Sequence, residues 1–453
     1  MSRYNYRRRK SGTAVAAGVG IGGENPIRIQ SMTNTDTLNT EATVEQSQRL
    51  FDLGCRLVRI TAPGLKEAHN LENIKSRLVQ KGYTDPLCAD IHFLPEAASV
   101  AAQIVEKVRI NPGNYCDRKT GKTEFSPAEQ QAERQRIGQR IAPLLEICRQ
   151  HGTAIRIGVN QGSLSERMVS RYGNTPLAMV ESALEFTGIC HDLGFDQIVV
   201  SMKSSRVKTM DQAVRMFARR MMQNGLIYPL HLGVTEAGNG EDARLLSAIG
   251  IGSLLCDGIG NTIRVSLTEA PENEVPVAQR IVDAAKELRE LPPSVWEQKH
   301  LKIEGCPISE EQKTLAAIRL GKRMLQGEKE GFRIETQDPS EGERLVNDLL
   351  QASGLKFHKT RFIACPSCGR TKYDIQKALA QVKEMFPDYP DLTIAVMGCV
   401  VNGPGEMADA DFGYIGCGNG KVNLYRHGVL EKASVSEEKA LEELEKLIAE
   451  SKK

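Results

Sequence analysis

The chain has 453 residues, enough for two or three domains, and is 40% hydrophobic and 26% charged. Its net charge of +2 excludes a general nucleic-acid or membrane-surface binder. No apolar run approaches the roughly 20 residues that a membrane helix needs. Eleven scattered cysteines with no signal peptide indicate a reducing compartment, so we expect a cytoplasmic protein.

The N-terminal region holds two motifs, for both of which we favour a structural interpretation. The basic cluster "RYNYRRRK" at 3–10 is followed by no apolar signal core, so we expect a solvated tail. The stretch "GVGIGG" at 18–23 matches the glycine pattern of a dinucleotide loop, which must follow a strand and open a helix. The next stretch, "ENPIRIQ", predicts a strand instead. We therefore expect a hairpin that leads into the first main strand.

Short β-branched runs then alternate with helix-like segments. The predicted helices include 41–53, 95–106 and 177–193. The predicted strands are 27–33, 55–61, 87–93, 107–113, 154–160, 197–203, 229–236 and 250–257. Eight strands that alternate with helices predict a (β/α)8 TIM barrel of the α/β class, and in that fold the active site lies at the carboxyl ends of the strands.

Polar side chains stand at those strand ends, where each one alone would most simply be a solvated rim residue. Together, the cations of four strands and one cation just beyond the last strand would converge on one mouth and bind a small molecule with more than one phosphate charge. Asp90, His92 and Glu236 are the groups left for proton transfer, although His92 could equally be a hydrogen-bonded wall residue. The whole set is Arg59, Asp90, His92, Arg109, Asn111, Arg156, Asn160, Lys203, Glu236, Arg264 and Ser266.

Beyond the barrel the chain changes character. We expect a barrel domain at 1–270, an inserted helical, charged segment or linker at 271–358, and a small α/β domain at 359–453. In the last domain a strand, a cysteine loop, a helix and a second strand lead to a second loop, "GCVVNGPGE".

Three cysteines and one glutamate could form a four-point cage in this last domain. Cys365 and Cys368 lie on the first loop, and Cys399 and Glu406 lie on the second. From the spacing alone, zinc and an iron–sulfur cluster are equally good interpretations. Structural zinc sites favour four nitrogen or sulfur ligands, which fits this set poorly. Cys417 is a possible fourth thiol, but we expect it to be structural.

The sequence resembles the 4-hydroxy-3-methylbut-2-enyl diphosphate synthases, the iron–sulfur enzymes of the methylerythritol phosphate route to isoprenoids. The resemblance covers about residues 13–270 and 360–430. It is carried, in order, by "IRIQSMTNTDT", "LVRIT", "ADIHF", "VRINPGN", "IRIGVNQGSL", "GVTEAG", "DGIGNTIRVSLT", "CPSCGR" and "GCVVNGPGE".

The resemblance implies a barrel joined to a cluster domain like those of nitrite and sulfite reductases. It implies a 4Fe–4S cluster on Cys365, Cys368, Cys399 and Glu406, with Asn402 close to it. It further implies that Glu236 faces the reacting carbons. The diphosphate-binding residues that it implies are Arg59, Arg109, Arg156, Lys203 and Ser266, with Asn111 and Asn160 nearby, and to these we add Asp90 and Arg264. The implied reaction is the reductive opening and dehydration of 2-C-methyl-D-erythritol 2,4-cyclodiphosphate, with single electrons from a reduced flavodoxin or ferredoxin.

The chain departs from the compact members of that family in two segments. Residues 115–147 are longer than expected, and 271–358 looks like a short form of the domain inserted in longer members. A homodimer is expected, with the site built either across subunits or within one chain. Two alternatives remain: a pteroate-synthase-like barrel transferase with a zinc-binding C-terminal domain, and a non-catalytic cluster-carrying protein.

Overall fold

The fold is taken from a computed structural model that describes residues 6–116, 121–371, 373–400, 403–418 and 420–451. An eight-stranded barrel comes first in the chain. A mostly helical segment packs on its side, and a small α/β unit sits over its mouth. Among the described residues, no helix is both long and apolar enough to cross a membrane.

Eight parallel strands form the barrel, in the spatial order β8-β7-β6-β5-β4-β3-β10-β9. A bridge between Val200 and Leu230 brings the two ends of this sheet together, so the barrel is nearly closed. The strands are buried almost throughout, as parallel strands covered by helices must be. After the hairpin strands β1 (Thr13–Ala16) and β2 (Val19–Gly22), they are β3 (Arg28–Met32), β4 (Leu57–Thr61), β5 (Leu87–Asp90), β6 (Lys107–Ile110), β7 (Ala154–Asn160), β8 (Ile198–Lys203), β9 (His231–Leu232) and β10 (Thr262–Ile263).

Helices follow the barrel strands and cover the outside of the sheet. Those predicted at 41–53, 95–106 and 177–193 are confirmed to within two residues at each end. The helices are α1 (Thr40–Asp52), α2 (Leu65–Gln80), α3 (Pro95–Ile104), α4 (Pro112–Tyr115), α5 (Pro127–His151), α6 (Glu166–Tyr172), α7 (Pro176–Asp192), α8 (Val207–Gln223), α9 (Gly240–Ser247), α10 (Ser253–Cys256) and α11 (Glu274–Arg289).

The eighth predicted strand, at 250–257, is wrong. A π-helical turn (Ala248–Gly252) and α10 occupy most of that range, and the last strand is β10, inside "NTIRVSLT". All nine residues from 248 to 256 are buried. Such a short apolar run shows no polar alternation, so its pattern cannot separate a buried strand from a buried helix.

The N-terminal hairpin closes the bottom of the barrel. Ala14 and Ile21 of the hairpin form a buried cluster with Leu57 and Val199 of the barrel strands, so the predicted hairpin is confirmed. Of the tail predicted to be solvated at 3–10, residues 3–5 lie outside the described residues and Arg7 and Lys10 are exposed, but Arg9 is not solvated as expected. Arg9 donates to the carbonyl of Tyr228 at 2.7 Å, and burial lowers the pKa of Arg9 to about 10. Arg9 therefore attaches this arm to the floor of the barrel.

The segment at 271–358 packs on the barrel and shares its hydrophobic core. It contains two short parallel strands that the sequence did not predict, and it is tied to the barrel by an ion pair of 2.5 Å between Lys322 and Asp257. Beyond α11 its elements are α12 (Pro293–Trp296), β11 (His300–Lys302), α13 (Glu310–Leu325), β12 (Arg333–Glu335) and α14 (Pro339–Ala352).

The C-terminal unit is a five-stranded sheet with its own core. The first three strands are parallel, so the two cysteine loops that follow β13 and β14 leave the same end of the sheet, as predicted. The antiparallel strands β16 and β17 complete the sheet. The elements are β13 (Arg361–Ala364), α15 (Ile375–Met385), β14 (Thr393–Met397), α16 (Gly403–Glu406), β15 (Phe412–Gly418), β16 (Lys421–Arg426), β17 (Val429–Ser436) and α17 (Glu437–Glu450).

Helix α13 approaches the barrel through Gly321. A methyl group added there would lie 2.5 Å from Cγ1 of the buried Ile249. We expect Gly321→Ala to lower the free energy of unfolding by about 1–3 kcal/mol, the usual cost of overpacking a core. In the control, Gly138→Ala in α5, the new methyl group meets its nearest neighbour at 3.7 Å, so we expect a gain of about 0.5–1 kcal/mol from helix propensity. Urea unfolding followed by circular dichroism measures both, and equal effects would contradict this packing.

Candidate active site

One cavity, of about 740 Å³ counted with its opening to solvent, lies between the barrel mouth and the C-terminal unit. The barrel strands and the two cysteine loops both contribute to its wall, within a single chain. The predicted residues that line it are Arg59, Asp90, His92, Arg109, Arg156, Asn160, Lys203, Glu236, Arg264, Ser266, Cys365, Cys368 and Cys399. The predicted strand ends and the cysteine loops therefore meet at one place.

Two predicted residues that the structure describes are not part of this lining, and a third cannot be compared with it. Asn111 is buried, and its amide donates to the hydroxyl of Ser163 at 2.8 Å. Glu406 lies at the edge of the cavity, where its carboxyl contacts Asn160 and Glu236. Asn402 lies outside the described residues.

Asp90 is a carboxylate surrounded by cations. Its oxygens lie 3.1 Å from Nη1 of Arg109 and 3.9 Å from Nε of Arg59. Burial alone would raise the pKa of Asp90, but Arg59, Arg109 and His92 outweigh that effect and hold it well below its usual range. Asp90 is thus an ionised counter-ion that keeps the guanidinium groups facing the cavity.

Several donors of the buried guanidinium groups have no acceptor. Nη1 of Arg156 donates to Ser201 at 2.9 Å, but its Nε and Nη2 have no hydrogen-bond partner. Nε of Arg109 is also without a partner, in a space that Gly158 leaves open. Each buried unsatisfied donor costs about 1–3 kcal/mol, so these groups fit an anionic ligand that supplies the missing acceptors.

Glu274 supports the site and was not predicted. It forms a two-pronged ion pair with Arg264, at 2.9 and 2.8 Å, and accepts a hydrogen bond of 2.7 Å from the hydroxyl of Ser31. Glu274 and Arg264 are almost completely buried. Glu274 begins the helix α11, in the predicted linker, and its sequence context is that of an ordinary helix start. No sequence signal marked it as a partner of Arg264.

Other cavity residues were also missed, among them Met32 and Arg370. Met32 stands at the end of β3, and its sulfur lies 3.0 Å from Nε of Arg59. Arg370 reaches into the cavity from the first cysteine loop. Met32 carries no chemical signal in a sequence. Arg370 belongs to "CPSCGR", and its position two residues after Cys368 was the one sequence feature that could have placed it at the site.

Glu236 and Glu406 form a buried pair of carboxyl groups that share a hydrogen bond, so one of them carries a proton. Burial raises the pKa of Glu236, and burial together with the charge of Glu236 raises the pKa of Glu406 well above its usual value. The amide of Asn160 donates to Glu406 at 3.1 Å. Glu236 also has a left-handed backbone, with φ of 51°, a strained conformation for a residue other than glycine.

The three cysteines lie along one wall of the cavity. The sulfur of Cys365 accepts a hydrogen bond of 3.1 Å from the backbone N–H of Gly398, and burial followed by the neighbouring Cys399 and Cys368 raises the pKa of its thiol. Among the described residues, no three His, Cys, Asp or Glu side chains are placed to hold one metal ion. A cluster of several irons gives each thiolate its own iron, so it does not need three side chains around one ion. The donor set fits such a cluster.

Main-chain contacts seat the C-terminal unit on the barrel of its own chain. Ala364 pairs with the loop after β9, where its N–H donates to the carbonyl of Glu236 at 3.2 Å. The hydroxyl of Thr268 donates to the carbonyl of Cys365 at 3.0 Å. A side chain on Gly405 would meet the carbonyl oxygen of Gly162 at 1.8 Å, which explains the second glycine of "GPGE".

Two family models match the chain. The GcpE TIM-barrel domain matches residues 13–279, and the GcpE protein C-terminal domain matches residues 361–450. The two matches correspond to the two units that form the cavity.

Relatives match along the whole chain. A protein of Parabacteroides distasonis named "4-hydroxy-3-methylbut-2-en-1-yl diphosphate synthase (flavodoxin)" is 37% identical, with 100% of this chain and 99% of the relative covered. That alignment spans 606 positions, so the relative has segments that this chain lacks. A protein of Trichormus variabilis named "4-hydroxy-3-methylbut-2-en-1-yl diphosphate synthase (ferredoxin)" is 42% identical, with 98% of this chain and 92% of the relative covered.

Solved structures resemble the barrel more weakly. Dihydropteroate synthase from Xanthomonas albilineans has a TM-score of 0.40 and 14% identity, and it covers 62% of this chain. This similarity carries no argument about activity.

His92 gives the site a measurable pH dependence. Burial, followed by the charge of Arg109, lowers the pKa of His92 to about 3. An unfolded histidine takes up a proton near pH 6.5, whereas folded His92 stays neutral down to about pH 3. Protonation of the unfolded state therefore lowers the free energy of unfolding as the pH falls from about 6.5 towards 3, and has no effect above pH 6.5. We expect wild type to lose about 1.4 kcal/mol of unfolding free energy per pH unit below about pH 6 through His92, and His92→Asn to lose correspondingly less. Urea unfolding across that range measures the difference, and parallel pH profiles would refute the assignment.

Proposed function

The chain belongs to the GcpE family, and on that premise we propose that it converts 2-C-methyl-D-erythritol 2,4-cyclodiphosphate into 4-hydroxy-3-methylbut-2-enyl diphosphate by two one-electron reductions. The observation that carries this proposal is the single cavity with buried cations on one wall and three cysteines on the other. A small cyclic diphosphate needs both walls. A pteroate-synthase-like transferase is not retained, since the family match includes the C-terminal unit.

The barrel cations are proposed to hold the diphosphate throughout the reaction. Opening the ring with two electrons and one proton releases water and changes the substrate from a dianion to a trianion. Positive charge fixed in place around the phosphates therefore stabilises the product side of the step. The N–H groups of Arg109 and Arg156 that lack an acceptor support this role, because they can donate to phosphate oxygens. The binding set is Arg59, Asp90, Arg109, Arg156, Asn160, Lys203, Arg264 and Ser266, with Asn111 behind it.

Glu236 is proposed to protonate the hydroxyl group that leaves as water. Its burial raises the pKa of its carboxyl, so the acid form is available at a higher pH than that of an exposed glutamate. Glu236 lines the cavity, and its Oε2 has no hydrogen-bond partner, which supports this role. Asn402 is proposed as a further group near the cysteines.

Cys365, Cys368, Cys399 and Glu406 are proposed to hold a 4Fe–4S cluster. When bound, this cluster would supply the two electrons one at a time. The relatives' names identify flavodoxin or ferredoxin as their carriers, and we propose that one of these reduces this chain. The reaction is placed in the cytoplasm, where thiols remain reduced.

We propose that one chain contains a complete site. The barrel domain (1–270) and the cluster domain (359–453) contact each other directly, and the segment between them serves as a spacer packed on the barrel. Lys359, at the end of this spacer, pairs with Asp242 at 2.7 Å and with Asp348 at 2.8 Å. A homodimer, which we expected from the resemblance, is not needed to complete this cavity and would join two finished sites.

The first test concerns the cysteines. We expect Cys399→Ser to lose bound iron, acid-labile sulfide and turnover of the cyclic diphosphate with a one-electron donor, because thiolate is the softer iron ligand. Cys306→Ser is the matched control, because Cys306 is exposed and lies outside the cavity. Full iron and sulfide in Cys399→Ser, measured after anaerobic purification, would show that this cysteine is not a ligand.

The second test separates one-chain sites from shared sites. Glu236→Gln removes a group from the barrel wall of the cavity, and Cys368→Ser removes one from the cysteine wall. The two inactive variants are mixed, dissociated and allowed to reassociate. We expect no recovery of activity, since each chain lacks one wall of its own site. Recovery to roughly a quarter of wild-type activity would instead indicate dimers with sites shared between subunits.

A further inference from the structure

Arg370 is a largely buried cation on the C-terminal unit, and its side chain lies at the barrel mouth. Its side chain is 9% exposed and stands on the loop that carries Cys365 and Cys368. Its Nη1 lies 3.8 Å from the sulfur of Cys368, and its Nη2 lies 3.7 Å from Oδ2 of Asp90. The side chain therefore spans the boundary between the two units.

The contact between Arg370 and Asp90 is an attraction without a hydrogen bond. At 3.7 Å the two atoms are too far apart for one, and Nη2 of Arg370 has no other acceptor. Asp90 is already closer to Arg109, at 3.1 Å. A buried guanidinium donor left in this state favours any ligand that brings an oxygen to it.

The unpartnered donors of the cavity share one chemistry. Arg109 and Arg156 offer theirs from the barrel, and Arg370 offers its own from the cysteine loop. An anion with several oxygens can satisfy donors from both sides at once, whereas Asp90 has only two oxygens and a fixed position.

We propose that Arg370 is a further phosphate-binding residue, and that the bound diphosphate holds the cysteine loop on the barrel through it. The proposal rests on the function proposed above and extends it. Without the diphosphate, Arg370 contacts Cys368 through Nη1 and Asp90 through Nη2. When the diphosphate enters, the guanidinium donates to a phosphate oxygen, and the anion then links the barrel cations to the loop that carries the iron ligands.

Close packing keeps this loop in register with the barrel. A side chain on Gly369 would lie 2.8 Å from the carbonyl of Thr35, in the loop after β3. The neighbouring Arg370 is thereby fixed at the edge of the cavity. A binding role for Arg370 thus requires only that an anion brings an oxygen within hydrogen-bond distance of its free Nη2.

The test uses the full chain, purified anaerobically with its iron and kept without a reductant. Inorganic pyrophosphate is the probe, and the cyclic diphosphate is a second ligand that cannot turn over under these conditions. Calorimetry gives the affinity, and hydrogen–deuterium exchange gives the protection of residues 363–371 at saturating ligand. The variants are Arg370→Gln, Arg370→Lys and, as a control, Arg426→Gln, which changes an arginine of the same unit that pairs with Glu450 away from the cavity.

We expect Arg370→Gln to weaken binding of both anions roughly 10- to 100-fold, the effect of losing a hydrogen bond to a charged group. Saturating ligand should no longer protect the cysteine loop in this variant. Arg370→Lys should recover part of the affinity, because it keeps the charge but lacks the planar pair of donors. Arg426→Gln should behave as wild type in both measurements.

Two results would overturn the proposal. The first is wild-type affinity and full protection of residues 363–371 in Arg370→Gln. If Arg370→Gln does not retain iron, the second is wild-type affinity and full protection in Arg370→Lys. Failure of the proposed function looks different. In that case wild type itself binds neither pyrophosphate nor the cyclic diphosphate, and Arg109→Ala changes nothing.

Discussion

The structure depends on positive charge buried in the mouth of a barrel. Burial, together with the neighbouring cations, lowers the pKa values of Arg156 and Lys203 well below their usual range, which shows how poorly this interior compensates charge. Asp90 is a carboxylate that Arg59 and Arg109 share. Such a site costs stability when it is empty, and a multiply charged anion repays that cost, so ligand binding and folding stability are linked.

The positions of these cations are set by residues that never touch the ligand. Glu274 fixes Arg264 from the first turn of α11, and Gly158 leaves room for the guanidinium of Arg109. These supports come from different parts of the chain. A substitution far from the cavity in sequence can therefore misplace a cation in it, which is why the segment after residue 270 matters to the anion site.

The strand ends and both cysteine loops could be predicted, because alternating strands and helices place polar strand-end residues at one mouth. The eighth strand could not be predicted, because it consists of only two residues, Thr262 and Ile263. A longer apolar run precedes it in the chain and forms buried helix instead. The Glu274–Arg264 pair was hidden because ion pairs depend on packing that spacing does not encode. Arg370 was visible in sequence, but its direction depended on how the two units meet.

The contact between the units also sets the geometry of Glu236. Its left-handed backbone, with φ of 51°, is strained, and the residue lies where the barrel loop pairs with Ala364 of the C-terminal unit. Ala364 immediately precedes Cys365, so one stretch of main chain holds both the proposed acid and the first proposed iron ligand. A proton and an electron must reach the same small substrate. Joining their sources through one pair of backbone hydrogen bonds keeps the acid in position only when the cysteine loop is seated on the barrel.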